Sequence, residues 1–166
     1  MTYTNSDGIP KHDAEHEATL AWLSQAEELN RQIRLRKSKI DIRRDALSVR
    51  SPVLSDMPRN PSPCLQQMER NLCEVLSLEE EVRDMEKELA VLKARMMGMI
   101  EKIENTDCQM VMIQFYLNMK SVRQTTETLH FSRGWMMKLK AQGIGELEQI
   151  LKTEGELEKW MIRAES

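Results

Sequence analysis

Glycine is scarce in this chain, with six residues in 166, and aromatic side chains make up only 4%. Loop-rich catalytic scaffolds and β-sandwiches draw on both, so neither class is expected. The sequence holds no Gly-rich phosphate loop, no nucleophile with a matched base and no carboxylate pair in an apolar setting, so a non-enzyme without a cofactor is expected. Long apolar runs are missing too, which excludes a transmembrane helix and a membrane partner. The first residues, MTYTNSDGIPKHDAEHEA, lack the apolar core of a signal peptide. Cys64, Cys73 and Cys108 show no CxxC spacing and are expected as buried, reduced thiols of a cytoplasmic protein. The net charge of −3 rules out a uniformly basic nucleic-acid coat, so any DNA contact must come from a local patch.

What the chain does have is charge (31%) and methionine (13 residues), the composition of long amphipathic helices. An all-α fold follows. Residues 1–11 are small and polar, with Gly8 and Pro10, and are expected to be disordered. From His12 or Asp13, apolar residues recur at Trp22, Ala26, Leu29, Ile33, Ile40 and Leu47, one helix face repeating every seven residues. A helix of ~38 residues would be ~57 Å long. Four of the five prolines then fall in residues 51–63, SPVLSDMPRNPSP, which reads as a connection. Helix resumes near Cys64. Val75, Val82, Leu89, Met96 and Ile103 are seven apart, and Leu78, Met85, Leu92 and Met99 follow three residues behind. Such a heptad stripe needs a partner, and the first helix is the nearest.

An antiparallel hairpin would set Leu47 against Met68, Ile40 against Val75, Ile33 against Val82 and Ala26 against Leu89, with Trp22 near Leu92. Charge agrees with this pairing. Residues 31–50 carry eight basic and two acidic side chains, and residues 74–88 carry seven acidic and two basic. The acidic block would lie alongside Arg31, Arg34, Arg36, Lys37 and Lys39. Each exposed pair is worth only ~0–1 kcal/mol, so their weight is on register and orientation. The same basic run also offers a secondary contact for a nucleic-acid backbone.

His12, Glu15 and His16 spell the letters of one zinc-protease signature, but the segment is polar and starts a helix, so a solvated helix end is expected and no metal site. Residues 107–118 form an apolar helix, capped by Asn105 or Thr106. The stretch Ser121–Leu147 is the part with a specific character. Val122 and Leu129 share a helical face, His130-Phe131-Ser132 interrupts, and Ser132 is a good N-cap for a second helix. That helix turns Met136, Leu139, Gly143, Ile144 and Leu147 inward and Arg133, Trp135, Lys138 and Lys140 outward, the pattern of a helix-turn-helix. Beyond it, Leu147, Ile150, Leu151, Leu157, Trp160 and Met161 continue a helical stripe that Gly155 weakens. Trp22 and Trp160 are expected to pack, and Met137 to be more exposed than Met136.

Ile103–Asp107, Gln114-Phe115-Tyr116, Lys120-Ser121-Val122 and Phe131–Leu139, together with Ser55-Asp56-Met57-Pro58-Arg59 upstream, resemble a family of small regulators encoded by phages and prophages of Firmicutes. These carry a C-terminal helix-turn-helix similar to region four of sigma factors. The resemblance covers roughly residues 13–150. It implies DNA binding and phage gene regulation, with Arg133, Trp135, Met137 and Lys138 at the groove face and Ser121, Arg123, Ser132 and Lys140 placed for phosphates. This chain departs from the family at Thr125-Thr126, where an Ile-Ala-like pair is usual, and at Gly143, where Ala is usual. Thr106 to Ile150 holds five basic and four acidic residues, a thin positive balance.

The expected architecture is a coiled-coil hairpin over 12–104 with its connection at 51–63, a helix-turn-helix domain over 105–147, and a C-terminal helix or tail over 148–166. The first functional expectation is a DNA-binding transcription regulator in the cytoplasm of a bacterial host, with double-stranded DNA as partner, RNA polymerase or another host protein as a second partner, and a homodimer as its assembly. The alternative is a phage protein that uses the helical scaffold to bind and inhibit or redirect a host protein such as a nucleic-acid enzyme. A purely structural coiled-coil adaptor ranks third.

Overall fold

The computed structural model describes residues 11–48 and 63–164, with side chains from 14–48 and 66–163. The expected disordered start and Pro-rich connection lie outside these residues, apart from Lys11 and Pro63. Among the described residues there is no strand. The helices are α1 (Lys11–Ser48), α2 (Pro63–Ile100), α3 (Thr106–Met112), α4 (Val122–Leu129), α5 (Arg133–Thr153) and α6 (Glu156–Ala164), with a π-helical turn at Ile113–Leu117. The chain is all-α, as its composition predicts, and no described helix is long and apolar enough to cross a membrane. It divides into two compact units, Leu29–Ala90 and the rest, Met1–Glu28 with Val91–Ser166.

The unit Leu29–Ala90 is a pair of helical segments. Ile33 and Ile40 of α1 and Val75 and Val82 of α2 are buried in one cluster, flanked by half-buried Leu29, Leu47, Leu78, Met85 and Leu89. Arg36 pairs with Glu81 (3.2 Å) and Arg43 with Glu74, so numbers rise on one helix as they fall on the other: the segments are antiparallel. Lys37 pairs with Glu86 (2.6 Å) and Arg44 with Glu79 on the same seven-residue step. These pairs lie further along α2 than the expected facings of Ile33 with Val82 and Ile40 with Val75. Ile33, Ile40, Val75 and Val82 nevertheless share one buried cluster. Heptad helices interlock each side chain into the space between facing residues rather than setting like positions head on, which accounts for the shift. Of the five cations expected against the acidic block, Arg36 and Lys37 pair with it, joined by Arg43 and Arg44. Arg36 and Arg43 are half-buried, their stems covering the seam while the guanidinium groups reach its edge.

In the other unit α2 ends at Ile100, so Ile103, expected as the last heptad member, lies off the helix. It is nevertheless buried, and the Gln109 amide donates to the carbonyls of Glu101 (3.1 Å) and Ile103 (2.6 Å). Asn105 is the cap of α3, accepting from the Asp107 backbone N–H at 2.9 Å. The single helix expected over 107–118 is instead α3 followed by the π turn, closed by the Asn118 N–H donating to the Ile113 carbonyl. Its wider turn sends Leu117 inward while leaving Phe115 and Tyr116 half-buried side by side. Cys108 is buried, and burial pushes its thiol pKa up, as expected for an inert thiol. Cys73, expected buried, is exposed on α2, and the side chain of Cys64 lies outside the described residues.

Helix α5 runs unbroken through Gly143, Gly145 and Leu147 to Thr153, so no helix boundary falls at 147/148. The break comes at Gly155, whose φ of +67° is the left-handed conformation that ends a helix without a Cβ penalty. From there α6 packs back through buried Leu157 and half-buried Trp160. Glu156 pairs with Arg95, and Glu154 with Lys102 at 2.5 Å. In the last turns of α5 itself, buried Glu148 takes His16 (3.3 Å) and Lys152 (3.1 Å), and Lys152 also reaches Glu15 (2.5 Å). Glu15 and His16 of the zinc-like spelling are therefore engaged with α5, while the His12 side chain lies outside the described residues.

The hydrogen bond from Arg95 holds the Glu156 carboxyl below its ordinary pKa, with Lys159 adding to this and burial opposing it. A depressed folded pKa stabilises above the unfolded value and is lost as pH falls through the folded one. Glu156→Gln is therefore expected to melt below the parent protein at neutral pH, and the gap to close as pH falls below the ordinary carboxylate range and through the lower folded value. Thermal melts of both proteins across that range check this, and a gap that does not change with pH would remove the assigned cause.

Candidate nucleic-acid interface

The site is built on α4, the turn after it, and the first half of α5. Ser121 caps α4 in a reciprocal box: its hydroxyl accepts from the Gln124 N–H (3.3 Å), and the Gln124 side chain accepts from the Ser121 N–H (2.9 Å). Val122 and Leu129 are half-buried on the inner face. Between them Thr125 is fully buried, and its hydroxyl donates to the Ser121 carbonyl at 2.9 Å. Half-buried Thr126 donates likewise to Arg123 at 2.7 Å. Both hydroxyls that replace the expected apolar pair are satisfied within their own helix, so neither leaves an unpaired polar group in the core. His130 takes the left-handed conformation (φ 55°) to end α4, and Ser132 then caps α5 by accepting from the Trp135 N–H at 3.3 Å. A turn of this tightness sets the start of the second helix against the first.

On α5 the inward set is the one the periodicity predicts: Met136, Leu139, Gly143, Ile144 and Leu147 are all buried. Gly143 is required by packing. A Cβ there would sit 2.9 Å from Met112 Cγ and 3.2 Å from its Sδ, so a larger residue would have to displace the Met112 side chain of α3. The outward face holds Arg133 and Met137 along one edge, Lys138 near its middle and Trp135 along the other edge, with Met137 45% and Trp135 49% exposed. Ala141 and Gln142 continue it one turn on. No acidic residue occurs between Glu127 and Glu146. Glu127 is paired with Arg123, and Glu146 accepts from Gln142 at 2.8 Å.

Arg133, Trp135, Met137 and Lys138, the four residues expected at the groove face, are all exposed on α5. The residues expected at phosphates divide. Arg123 is exposed on α4 but shares its charge with Glu127 at 2.9 Å, and the Ser121 and Ser132 hydroxyls serve as caps. Lys140 is the correction. It is half-buried, with its ammonium 4.4 Å from the Phe115 ring centroid and 5.5 Å from that of Tyr116. One step past Leu139 on the helix, it points to the flank that meets the π turn, where cation–π attraction holds it. Tyr116 has its pKa raised, first by burial and then by the nearby charge of Glu27. The Phe-Tyr pair was the sequence signal for this contact, but only the π turn presents both rings to α5. Gln142 is a further exposed polar side chain on this outward face, about one turn beyond Lys138. Lys120 is a further cation beside α4, half-buried, with its ammonium 3.2 Å from the Thr128 hydroxyl.

Among the described residues no group of three or more His, Cys, Asp or Glu side chains is placed to hold a metal ion. Comparison with protein-family models, with curated proteins and with solved structures returned no match.

Proposed function

We propose that the protein is a DNA-binding transcription regulator of the phage type, acting in the cytoplasm of a bacterial host, and that the first half of α5 enters the major groove. One observation carries the reading: a capped helix, set by a tight turn on a shorter helix, presents Arg133, Trp135, Met137 and Lys138 on a face free of acidic side chains. Arg and Lys donate to guanine edges or phosphate oxygens, and the apolar side chains suit thymine methyl groups. The sequence resemblance to regulators with a sigma region-four-like domain supports the same reading and makes RNA polymerase a candidate second partner. One short helix reads few base pairs, so a homodimer with two half-sites is the natural assembly.

The test is binding of the purified protein to fragments of the genome that encodes it, across a salt series. Affinity is expected to fall steeply as salt rises, because phosphate contacts release counterions. Absence of binding at low salt would end the proposal. A second reading is favoured by the half-exposed Trp135 and Met137 on a chain of net charge −3: the same face docks on a host protein such as a nucleic-acid enzyme. Nuclease-treated pull-down from host lysate, lost on Trp135→Ala, is the outcome that reading requires.

A further inference from the structure

We infer that α1 carries a second interface on its solvent side, and that its occupant is α1 of a second copy of this chain, packed antiparallel about a two-fold axis beside Ser38 and Lys39. Leu35 and Ile42 are 56% and 69% exposed, although they lie within the helix whose Ile33 and Ile40 form the buried seam. Two residues on from that seam is about 200° round the helix, so the exposed pair is not part of the packing against α2. Leu35 and Ile42 are seven apart and share one face, with Ser38 and Ala46 as exposed small neighbours on it.

The face is self-complementary. Under a two-fold axis beside Ser38 and Lys39, Leu35 of each copy meets Ile42 of the other, giving four apolar side chains at the centre. Arg31 comes level with Asp45 and Ala46 of the second copy, placing opposite charges at both ends. Symmetric interfaces need this property, that one patch fits itself. Lys39 and its mate approach on one edge near the axis, a like-charge contact that long exposed side chains spread apart. The exposed pair on α2, Leu72 and Leu76, fails the same comparison. Antiparallel pairing there brings Glu69 within one residue of the level of Glu80 of the second copy on the same edge, so acid meets acid.

This names the surface for the homodimer that the DNA-binding reading calls for, and it rests on that reading only for its purpose. Sedimentation of the full chain without DNA tests it alone, so its failure and that of the α5 reading are distinguishable. A dimer is expected at micromolar protein. Leu35→Glu with Ile42→Glu is expected to weaken it by at least about a hundredfold, with helical circular dichroism unchanged. A monomeric parent protein, or a double variant that still dimerises, overturns the proposal. Cross-linking guards against a variant that misfolds. With Cys64→Ser and Cys73→Ser in place, Ser38→Cys is expected to form an intermolecular disulfide on mild oxidation. A chain that cross-links through native Cys73, and not through Ser38→Cys, overturns it in favour of the α2 face.

Discussion

Arg133→Ala combined with Lys138→Ala is expected to weaken binding to double-stranded DNA roughly a hundredfold, since each contact to a base edge or phosphate is worth about 1–3 kcal/mol. Both side chains are exposed on α5, and neither has an acidic neighbour on its face to compete for it. The two differ in what they report. A residue that meets phosphate lowers the slope of log affinity against log salt by about 0.9 when removed, and weakens all sequences alike. A residue that meets a guanine edge relaxes preference at one position and leaves the slope nearly unchanged. Single variants measured across a salt series therefore assign each role. Lys140→Ala is the internal comparison and is expected to cost less than Lys138→Ala, because its ammonium already rests on Phe115 and Tyr116. Full affinity in the double variant at low salt would remove α5 as the reading helix.

Gly143→Val is expected to destabilise the fold by about 3 kcal/mol, through overpacking and the stiffness of a β-branched side chain in a helix. The Cβ would lie 2.9 Å from Met112 Cγ, and Met112 is fully buried, so making room there disturbs packed neighbours. Cys108 Cβ at 3.5 Å closes the other side. Met112→Ala should recover part of the loss when added to Gly143→Val, a coupling that a double-mutant cycle reads directly. Gly145→Ala gives the contrast. Nothing lies within 4 Å of a Cβ there, so removing a helix-interior glycine should stabilise by about 0.5–1 kcal/mol. Urea denaturation of these variants, with Met112→Ala alone completing the cycle, checks the set, and a Gly143→Val protein as stable as its parent would refute the tight contact of Gly143 with Met112.

Periodicity alone was enough for the long elements. Seven-residue spacing named Ile33, Ile40, Val75 and Val82 as the seam, and 3.6-residue spacing named all five inward residues of α5. Caps were legible for the same local reason: Asn105, Ser121 and Ser132 each bond backbone within three residues of themselves. The outward placement of Arg133, Trp135, Met137 and Lys138 follows from the inward placement of their neighbours. These features depend on interactions within a turn or two of chain, and the order of residues is sufficient to determine them.

Tertiary structure decided the rest. The π turn at Ile113–Leu117 has no local spelling, and it is what brings Phe115 and Tyr116 under Lys140, turning an expected phosphate ligand into an internal contact. Gly143 reads as a weak helix position until α3 is seen against it. The exact partners of the basic run depended on how the two helices interlock, which moved the pairing on to Arg43 and Arg44. Each of these concerns which surfaces meet across long chain separations, and helix propensity and spacing carry no information about distances between elements. The exposure of Leu35 and Ile42 belongs here as well: as letters they are two more apolar residues of a helix, and only the packed structure shows that the described residues leave them uncovered.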